Sequence, residues 1–408
     1  MCQHCDDKNH TDSNLPLLTG RRGLLRASAG LAAVPLLAGV SSATAQAQSA
    51  VPAAPARGNP QASTARAWAA RSATSGLAAM DIQRRAVGPN DVQMQILYCG
   101  ICHSDIHMAR SDWRTGTYPM VPGHEIIGRV TAVGSKVTKF KVGDIGGVGC
   151  MVDSCGTCVE CLNDREHACL NGMTLTYASP DKVSGGVTYG GYSTGVVVTE
   201  KFVIRIPPGA NLAGMAPLLC AGVTTFSPLQ HWKATRGQKI GVIGLGGLGH
   251  MAVKLAVARG AEVTVFTTSP GKRADAIRMG AKEALLWGDQ DAFKRLASSF
   301  DLIVAAAPKA FDVQPFMNLL KTDATLVNVG ALEVLPGYNA MINNTARRNL
   351  SGSMIGGIAE TQEVIDYCAA RGITADVELI RPDQINAAFE RVVGKDVKFR
   401  FVIDMGQA

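Results

Sequence analysis

The stretch QKIGVIGLGGLGHMAVKLAVARGAEVTVFTTS, residues 238–269, constrains the fold more than any other part of the chain. An apolar strand runs into a glycine turn, the turn opens a helix, and a second apolar strand follows. Two strands joined by a crossover helix lie parallel, and a parallel sheet is covered by helices on both faces. EALLW, FDLIVAAA and ATLVNVG then read as further short buried strands separated by helical text. That alternation predicts a doubly wound α/β domain. Gly244, Gly246 and Gly249, with Gly247 and Leu248 between them, form G-x-G-x-x-G. In this position the glycines permit a tight turn and let backbone approach a pyrophosphate at the helix N-terminus.

The end of the second strand selects the nucleotide. An acid there would hold a ribose 2′-hydroxyl. The strand instead ends in VFTTS followed by PGKR, and Glu262 lies at its other end. Thr268, Ser269, Lys272 and Arg273 offer hydroxyls and positive charge, a better match to a 2′-phosphate. NADP(H) is therefore expected over NAD(H).

Ahead of this domain, residues 76–210 are β-rich and broken by glycine. DVQMQILYC and GRVTAVG alternate as strands, and VDSCGTCVECLNDREHAC carries Cys155, Cys158, Cys161 and Cys169. Their C-x2-C-x2-C-x7-C spacing lets four thiolates converge on one Zn²⁺, whereas C-x2-C disulfides would close small strained rings. A closed structural zinc lobe is expected. Other possible ligands are dispersed: Cys99, Cys102, His103 and His107 in CGICHSDIH, His124 and Glu125 in VPGHEIIG, and Cys220 in LLCAG. A catalytic zinc takes about three protein ligands and an open position; spacing alone does not choose among these. After 350, two amphipathic helices and a final strand, KFRFVID, are expected to return to the first domain.

The front of the chain reads as processing signal. Arg21 and Arg22 precede a weakly apolar Ala/Gly run, then small residues with A-x-A sites. That order predicts a twin-arginine-type signal over residues 1–47, export to the periplasm, and transient contact with the export machinery. The run is too short and weakly apolar for stable membrane insertion. Residues 48–75, rich in Ala, Pro, Ser and Gln, read as a linker. The domains expected are then 76–210, 211–350 for the nucleotide, and 351–408 returning to the first. The net charge of +7 is scattered and forms no basic stripe, which excludes nucleic acid as a partner.

CGICHSDIH, YPMVPGHEIIGRV, the four-cysteine lobe, PLLCAGVTT, GLGGLGH and GSMIGG together resemble the zinc-dependent medium-chain alcohol dehydrogenases. The resemblance is to the cinnamyl-alcohol-dehydrogenase-like branch of NADP(H) aldehyde reductases and runs from about residue 84 to 404. It implies a GroES-like catalytic domain beside the Rossmann domain. It also implies two zinc ions per chain and hydride transfer between NADPH and an aldehyde held at zinc. Carried over by position, it makes Cys102, His124 and Cys220 the catalytic zinc ligands, with Glu125 placed to bind the metal when water or substrate leaves. Ser104 matches the hydroxyl relay, with the cofactor ribose or His107 as the next stop for the proton. Asp105 matches the acid that orients His124. Trp113 is read either as substrate-pocket lining or as core, and His250 as structural. The branch is usually cytosolic, so the signal-like front departs from it. A homodimer joined through the nucleotide-domain sheet is also implied. The competing readings are a non-catalytic NADP(H)-binding or zinc-storage protein, and a dehydrogenase working mainly as an alcohol oxidiser.

Overall fold

The computed structural model describes residues 62–408; the expected signal at 1–47 lies outside them. The nucleotide-domain sheet has six parallel strands in the order Glu283–Leu286, Glu262–Thr267, Lys239–Ile243, Phe300–Ala305, Leu320–Asn328, Asn349–Gly352. Val242 faces Val265 on one side and Val304 on the other. Four of the five residues of Lys239–Ile243 are buried, as a strand covered on both faces requires. The strand order reverses beside Lys239–Ile243. A ligand crevice forms at such a switch point, outside the carboxyl ends of the strands, and the glycine turn stands there.

The catalytic domain is built on a mostly antiparallel sheet. Val377–Ile380, Arg400–Asp404, Asp91–Gly100, Ile126–Val133, Ile145–Val148 and Ile204–Arg205 lie side by side, and Gly195–Thr199 also pairs with Asp91–Gly100. The final strand returns as expected: Val402 stands opposite Gly100. This long-range pairing carries the last residues of the chain to the cleft between the domains.

Two expected boundaries are corrected. Within the expected linker, 48–75, Ser63–Ala70 forms a strand antiparallel to Leu77–Arg84, with Ala67 opposite Met80. Ala65, Ala67 and Ala69 are buried on one face. The period-two pattern is present but written in alanine, a poor strand former, and so reads as tether. At the other boundary, Asn349–Gly352 pairs with Leu320–Asn328 as the sixth nucleotide-sheet strand and runs past residue 350. The helix Ile358–Ala369 also buries Val364, Ile365 and Cys368 in the core shared with the helix Ala221–His231. Periodicity marks a helix face as apolar without saying which core it enters.

The helical text after residue 211 is broken where the chemistry needs it. Leu212–Met215 and Ala221–His231 are separate helices, and Cys220 lies between them with φ −130° and ψ −71°. The non-helical residue turns its thiol out of the helical path. Among the described residues, no single helix is long and apolar enough to cross a membrane.

Candidate active site and cysteine lobe

Cys102 is the N-cap of the helix His103–Ala109, and His124–Glu125 lead into the strand Ile126–Val133. With Cys220 they bring one ligand atom each within 4.8 Å of one another, all four side chains being buried. His124 Nε2 lies 3.2 Å from Cys220 Sγ. Its other nitrogen, Nδ1, lies 3.1 Å from Asp105 Oδ1. A carboxylate acceptor fixes the proton on Nδ1 and leaves the Nε2 lone pair directed at the cluster.

Asp105 is fully buried and organises this corner. Its Oδ2 accepts the Cys102 N–H at 2.8 Å and the Tyr192 hydroxyl at 3.2 Å, while Oδ1 accepts the Gly123 N–H at 2.9 Å. One carboxylate thus contacts both ligand-bearing segments, through the Cys102 and Gly123 N–H groups and His124 Nδ1. A soft, convergent set of two thiols and an imidazole fits zinc, with the Glu125 carboxylate as a fourth donor.

Glu125 depends on a glycine. A Cβ on Gly100 would stand 1.9 Å from Glu125 Oε2, so only glycine leaves room for the carboxylate. Both Glu125 oxygens are buried without hydrogen-bond partners. Burial pushes its carboxyl up to about 8, against the opposing charge of Arg400. Arg400 Nη2 lies 3.0 Å from Glu125 Oε1, an ion-pair contact without hydrogen-bond alignment.

Arg400, which motif reading passes over, stands at the same cluster. It is 4% exposed, donates to the Ile101 carbonyl at 3.2 Å, and presses on the glycine turn. A Cβ on Gly247 would meet its guanidinium carbon at 2.9 Å. One cation therefore spans the metal cluster and the nucleotide turn. Nothing in KFRFVID distinguishes Arg400 from any other charged residue of a strand, since its burial follows only from the pairing of Arg400–Asp404 with Asp91–Gly100.

The turn itself fits a dinucleotide. A Cβ on Gly249 would sit 1.9 Å from the Gly244 carbonyl oxygen, whereas one on Gly246 meets nothing within 4 Å. The first value requires close helix-to-strand packing; the second leaves backbone open to a phosphate. Gly246 caps the helix Gly247–Ala258, whose first turn includes Leu248. Thr268 and Arg273 line an open cavity of about 600 Å³ beyond the second strand, with Trp287 and Asp289 opposite. Arg273 Nε also donates to the Ala284 carbonyl at 2.8 Å. Ser269 donates its N–H to Thr267 Oγ1 at 3.1 Å. Lys272 points elsewhere, with Nζ 5.6 Å from the centre of the Phe399 ring.

Ser104 Oγ lies 3.6 Å from Cys102 Sγ, at the cluster. His107 shares its helix face three residues on. Its Nδ1 is 2.8 Å from Asp112 Oδ2, and its ring stacks on Trp113 at 4.7 Å. Among the described residues no direct hydrogen bond joins Ser104 to His107. Trp113 is exposed rather than core.

The lobe cysteines converge as their spacing predicts. Cys155, Cys158, Cys161 and Cys169 bring their sulfurs within 4.8 Å of one another. Cys155 Sγ lies 3.9 Å from Cys161 Sγ, and Cys158 Sγ 4.0 Å from Cys169 Sγ. Disulfide sulfurs are about 2.05 Å apart. Four thiolates at about 2.3 Å from one zinc give tetrahedral edges of roughly 3.8 Å. The observed separations fit the second case.

Comparisons with known proteins agree with this geometry. The model for the alcohol dehydrogenase GroES-like domain matches residues 88–208, and that for zinc-binding dehydrogenase matches 247–370. NADP-dependent alcohol dehydrogenase C 1 of Mycolicibacterium smegmatis is 52% identical over 343 residues, covering 84% of this chain and 98% of that protein. Aldehyde reductase YahK of Escherichia coli is 52% identical over 342 residues, with 83% and 97% covered. Among solved structures, cinnamyl alcohol dehydrogenase from Sorghum bicolor superposes with a TM-score of 0.82 at 42% identity, covering 85% of this chain and 99% of that one. The Helicobacter pylori CAD complexed with NADP(H) gives 0.80 at 42% identity, with the same coverage.

Proposed function

The chain belongs to the zinc-dependent medium-chain alcohol dehydrogenases, in their cinnamyl-alcohol-dehydrogenase-like branch, and from that premise we propose that it is an NADP(H)-dependent alcohol dehydrogenase working as an aldehyde reductase. The observation that carries the reading is Arg400, which stands against Glu125 at 3.0 Å and against Gly247 of the glycine turn. A metal-binding cluster and a nucleotide turn so joined serve one reaction. A zinc-storage or nucleotide-binding protein has no need of that junction.

When bound, zinc supplies Lewis-acid polarisation of a carbonyl oxygen and NADPH supplies the hydride. Cys102, His124 and Cys220 would hold the metal, and Asp105 holds His124 and the Cys102 backbone in place. Glu125 is kept near by Arg400 and has the room to approach the cluster that Gly100 provides. Ser104 Oγ delivers or takes the proton at the reacting oxygen. His107, anchored by Asp112 at 2.8 Å, is the side chain placed to carry it on toward solvent, with the ribose hydroxyl of a bound cofactor able to bridge it to Ser104. Gly244, Gly246 and Gly249 let the backbone approach the pyrophosphate. Thr268, Ser269 and Arg273 would meet the 2′-phosphate, and Lys272 would swing from its seat against Phe399 to join them.

The lobe zinc is structural and contributes folding energy. The protein works as a homodimer joined at Asn349–Gly352, the edge strand of the nucleotide sheet. Exposed Val334 and Met341, which precede that strand, support this face. Arg21-Arg22 and the run after them support export by the twin-arginine route. The purified chain should consume NADPH with aliphatic or aromatic aldehydes and lose that activity to a chelator. Failure across such a panel by a zinc-loaded, folded sample would overturn the reading.

A further inference from the structure

The segment 395–400 belongs to the catalytic domain, yet three of its side chains contact elements of the nucleotide domain. Arg400 lies against Gly247. Phe399, 2% exposed, is held between elements of the other domain. Its ring stacks on His250 of the glycine-turn helix at 5.2 Å with an interplanar angle of 12°. Lys272 Nζ stands 5.6 Å from the same ring centre. Lys398 Nζ lies 3.1 Å from Asp275 Oδ2.

Asp275 makes this arrangement informative. It sits three residues after Lys272 on the helix Arg273–Arg278, with its side chain 3% exposed. A buried carboxylate beside a phosphate site would repel the phosphate. Arg278 covers one oxygen at 2.7 Å, while the other has no hydrogen-bond partner and only Lys398 within ion-pair reach. Burial raises the Asp275 carboxyl, but Arg278 and Lys398 outweigh it and hold the group below its ordinary range. Lys272 is lowered from its ordinary value by burial, then by its neighbours Lys395 and Lys398. Lys398 thus pairs with the acid while Lys272 lies over the adjoining Phe399 ring, and a dianionic phosphate would relieve the repulsion that Lys272 feels from Lys395 and Lys398.

We infer that Lys398 and Phe399 are positioning residues for NADP(H) selectivity: Lys398 neutralises Asp275 and Phe399 seats Lys272, so that the catalytic domain helps to set the preference for a 2′-phosphate. The inference rests on the NADP(H) reading above and adds a device outside the loop that follows the second strand. Both act through their partners, Lys398 through Asp275 and Phe399 through Lys272. The cation–π seat gives Lys272 a defined starting position, and the ion pair removes the nearest negative charge.

The test uses the full-length, zinc-loaded enzyme and two probes, 2′,5′-ADP and 5′-AMP, that differ by the 2′-phosphate alone. Calorimetry on Lys398→Met and Phe399→Leu should show 2′,5′-ADP binding weakened roughly 3- to 30-fold, with 5′-AMP unchanged. KM for NADPH should rise in parallel while KM for NADH does not. Lys398→Arg and Phe399→Tyr should restore 2′,5′-ADP binding to near wild type, and Lys398→Met, being exposed, keeps the test open if Phe399→Leu misfolds. Equal loss for both probes would make the segment a general brace and overturn the inference. So would unchanged binding in both variants while Lys272→Ala loses 2′,5′-ADP. If Lys272→Ala itself binds 2′,5′-ADP as wild type does, the underlying assignment of Lys272 to the 2′-phosphate fails instead.

Discussion

Glu166 Oε2, in the cysteine lobe, accepts the backbone N–H of Ile358 at 3.1 Å across 192 residues of chain. Ile358 opens the helix Ile358–Ala369, which packs on the helix that begins after Cys220. The lobe is thereby tied through two helices to a catalytic ligand. A carboxylate at a helix N-terminus is stabilised by unpaired N–H groups and by the helix dipole. Glu166 is 1% exposed and also pairs with Lys201 at 3.1 Å.

Glu166→Ala should therefore lower stability by about 1–3 kcal/mol, read from chemical denaturation. The charge dependence has a definite sign. Burial raises the Glu166 carboxyl, but the Ile358 N–H and Lys201 lower it further, so its folded value is depressed. The advantage of wild type over Glu166→Gln should be full above about pH 4.3, the unfolded value. It should shrink as the pH falls through the lower folded value. A gap that widens on acidification would contradict the ion-pair account.

The two metal sites should fail separately. Wild type should contain two zinc ions per chain by elemental analysis. Cys102→Ala or His124→Ala should abolish turnover and leave one zinc, with thermal stability largely kept. Cys158→Ala or Cys161→Ala should lower the melting temperature first, because a closed structural site adds folding energy.

Asp105→Asn keeps the shape of the side chain but replaces one acceptor oxygen with an amide donor. It cannot accept from Cys102 N–H, Gly123 N–H, Tyr192 and His124 Nδ1 together. Zinc affinity at the catalytic site should fall roughly 10- to 100-fold, measured by competition with a chromophoric chelator. The lobe zinc should be untouched.

Arg400→Met should be costly even before cofactor is added. It leaves the fully buried Glu125 carboxyl without the guanidinium that stands 3.0 Å from it. Breaking such a pair on one side typically costs about 3–5 kcal/mol. Arg400→Met combined with Glu125→Gln should recover part of that stability and none of the activity. Additive losses in a double-mutant cycle would show that the two side chains do not interact.

Export is tested by changing Arg21 and Arg22 to Lys. The variant should accumulate in the cytoplasm as a zinc-loaded, active enzyme with its front segment uncleaved. A mature periplasmic Lys-Lys protein would refute the twin-arginine reading. If the lobe is filled with zinc before export, the exported wild type carries zinc and no disulfides among Cys155, Cys158, Cys161 and Cys169.

What the sequence determined by itself is what neighbouring residues settle between them. The turn from Gly244 to Gly249 is legible because strand, turn and helix are contiguous. The lobe is legible because Cys155, Cys158, Cys161 and Cys169 are close enough to share one ion without help from the rest of the chain. The catalytic cluster was different. Cys99, His103 and His107 were as available as Cys102 on spacing alone, and only the family resemblance chose among them. The choice becomes physical once the fold brings Cys220 within 3.2 Å of His124 across 96 residues. Arg400 was not legible at all. Its contact with the Ile101 carbonyl spans 299 residues and exists because Arg400–Asp404 pairs with Asp91–Gly100. Strand Ser63–Ala70 was missed for the same kind of reason: its alanines become a strand face only against Leu77–Arg84 and the core behind them. Short-range geometry is written in residue type and spacing; long-range convergence is decided by which strands pair and which cores close, and that is a property of the whole chain.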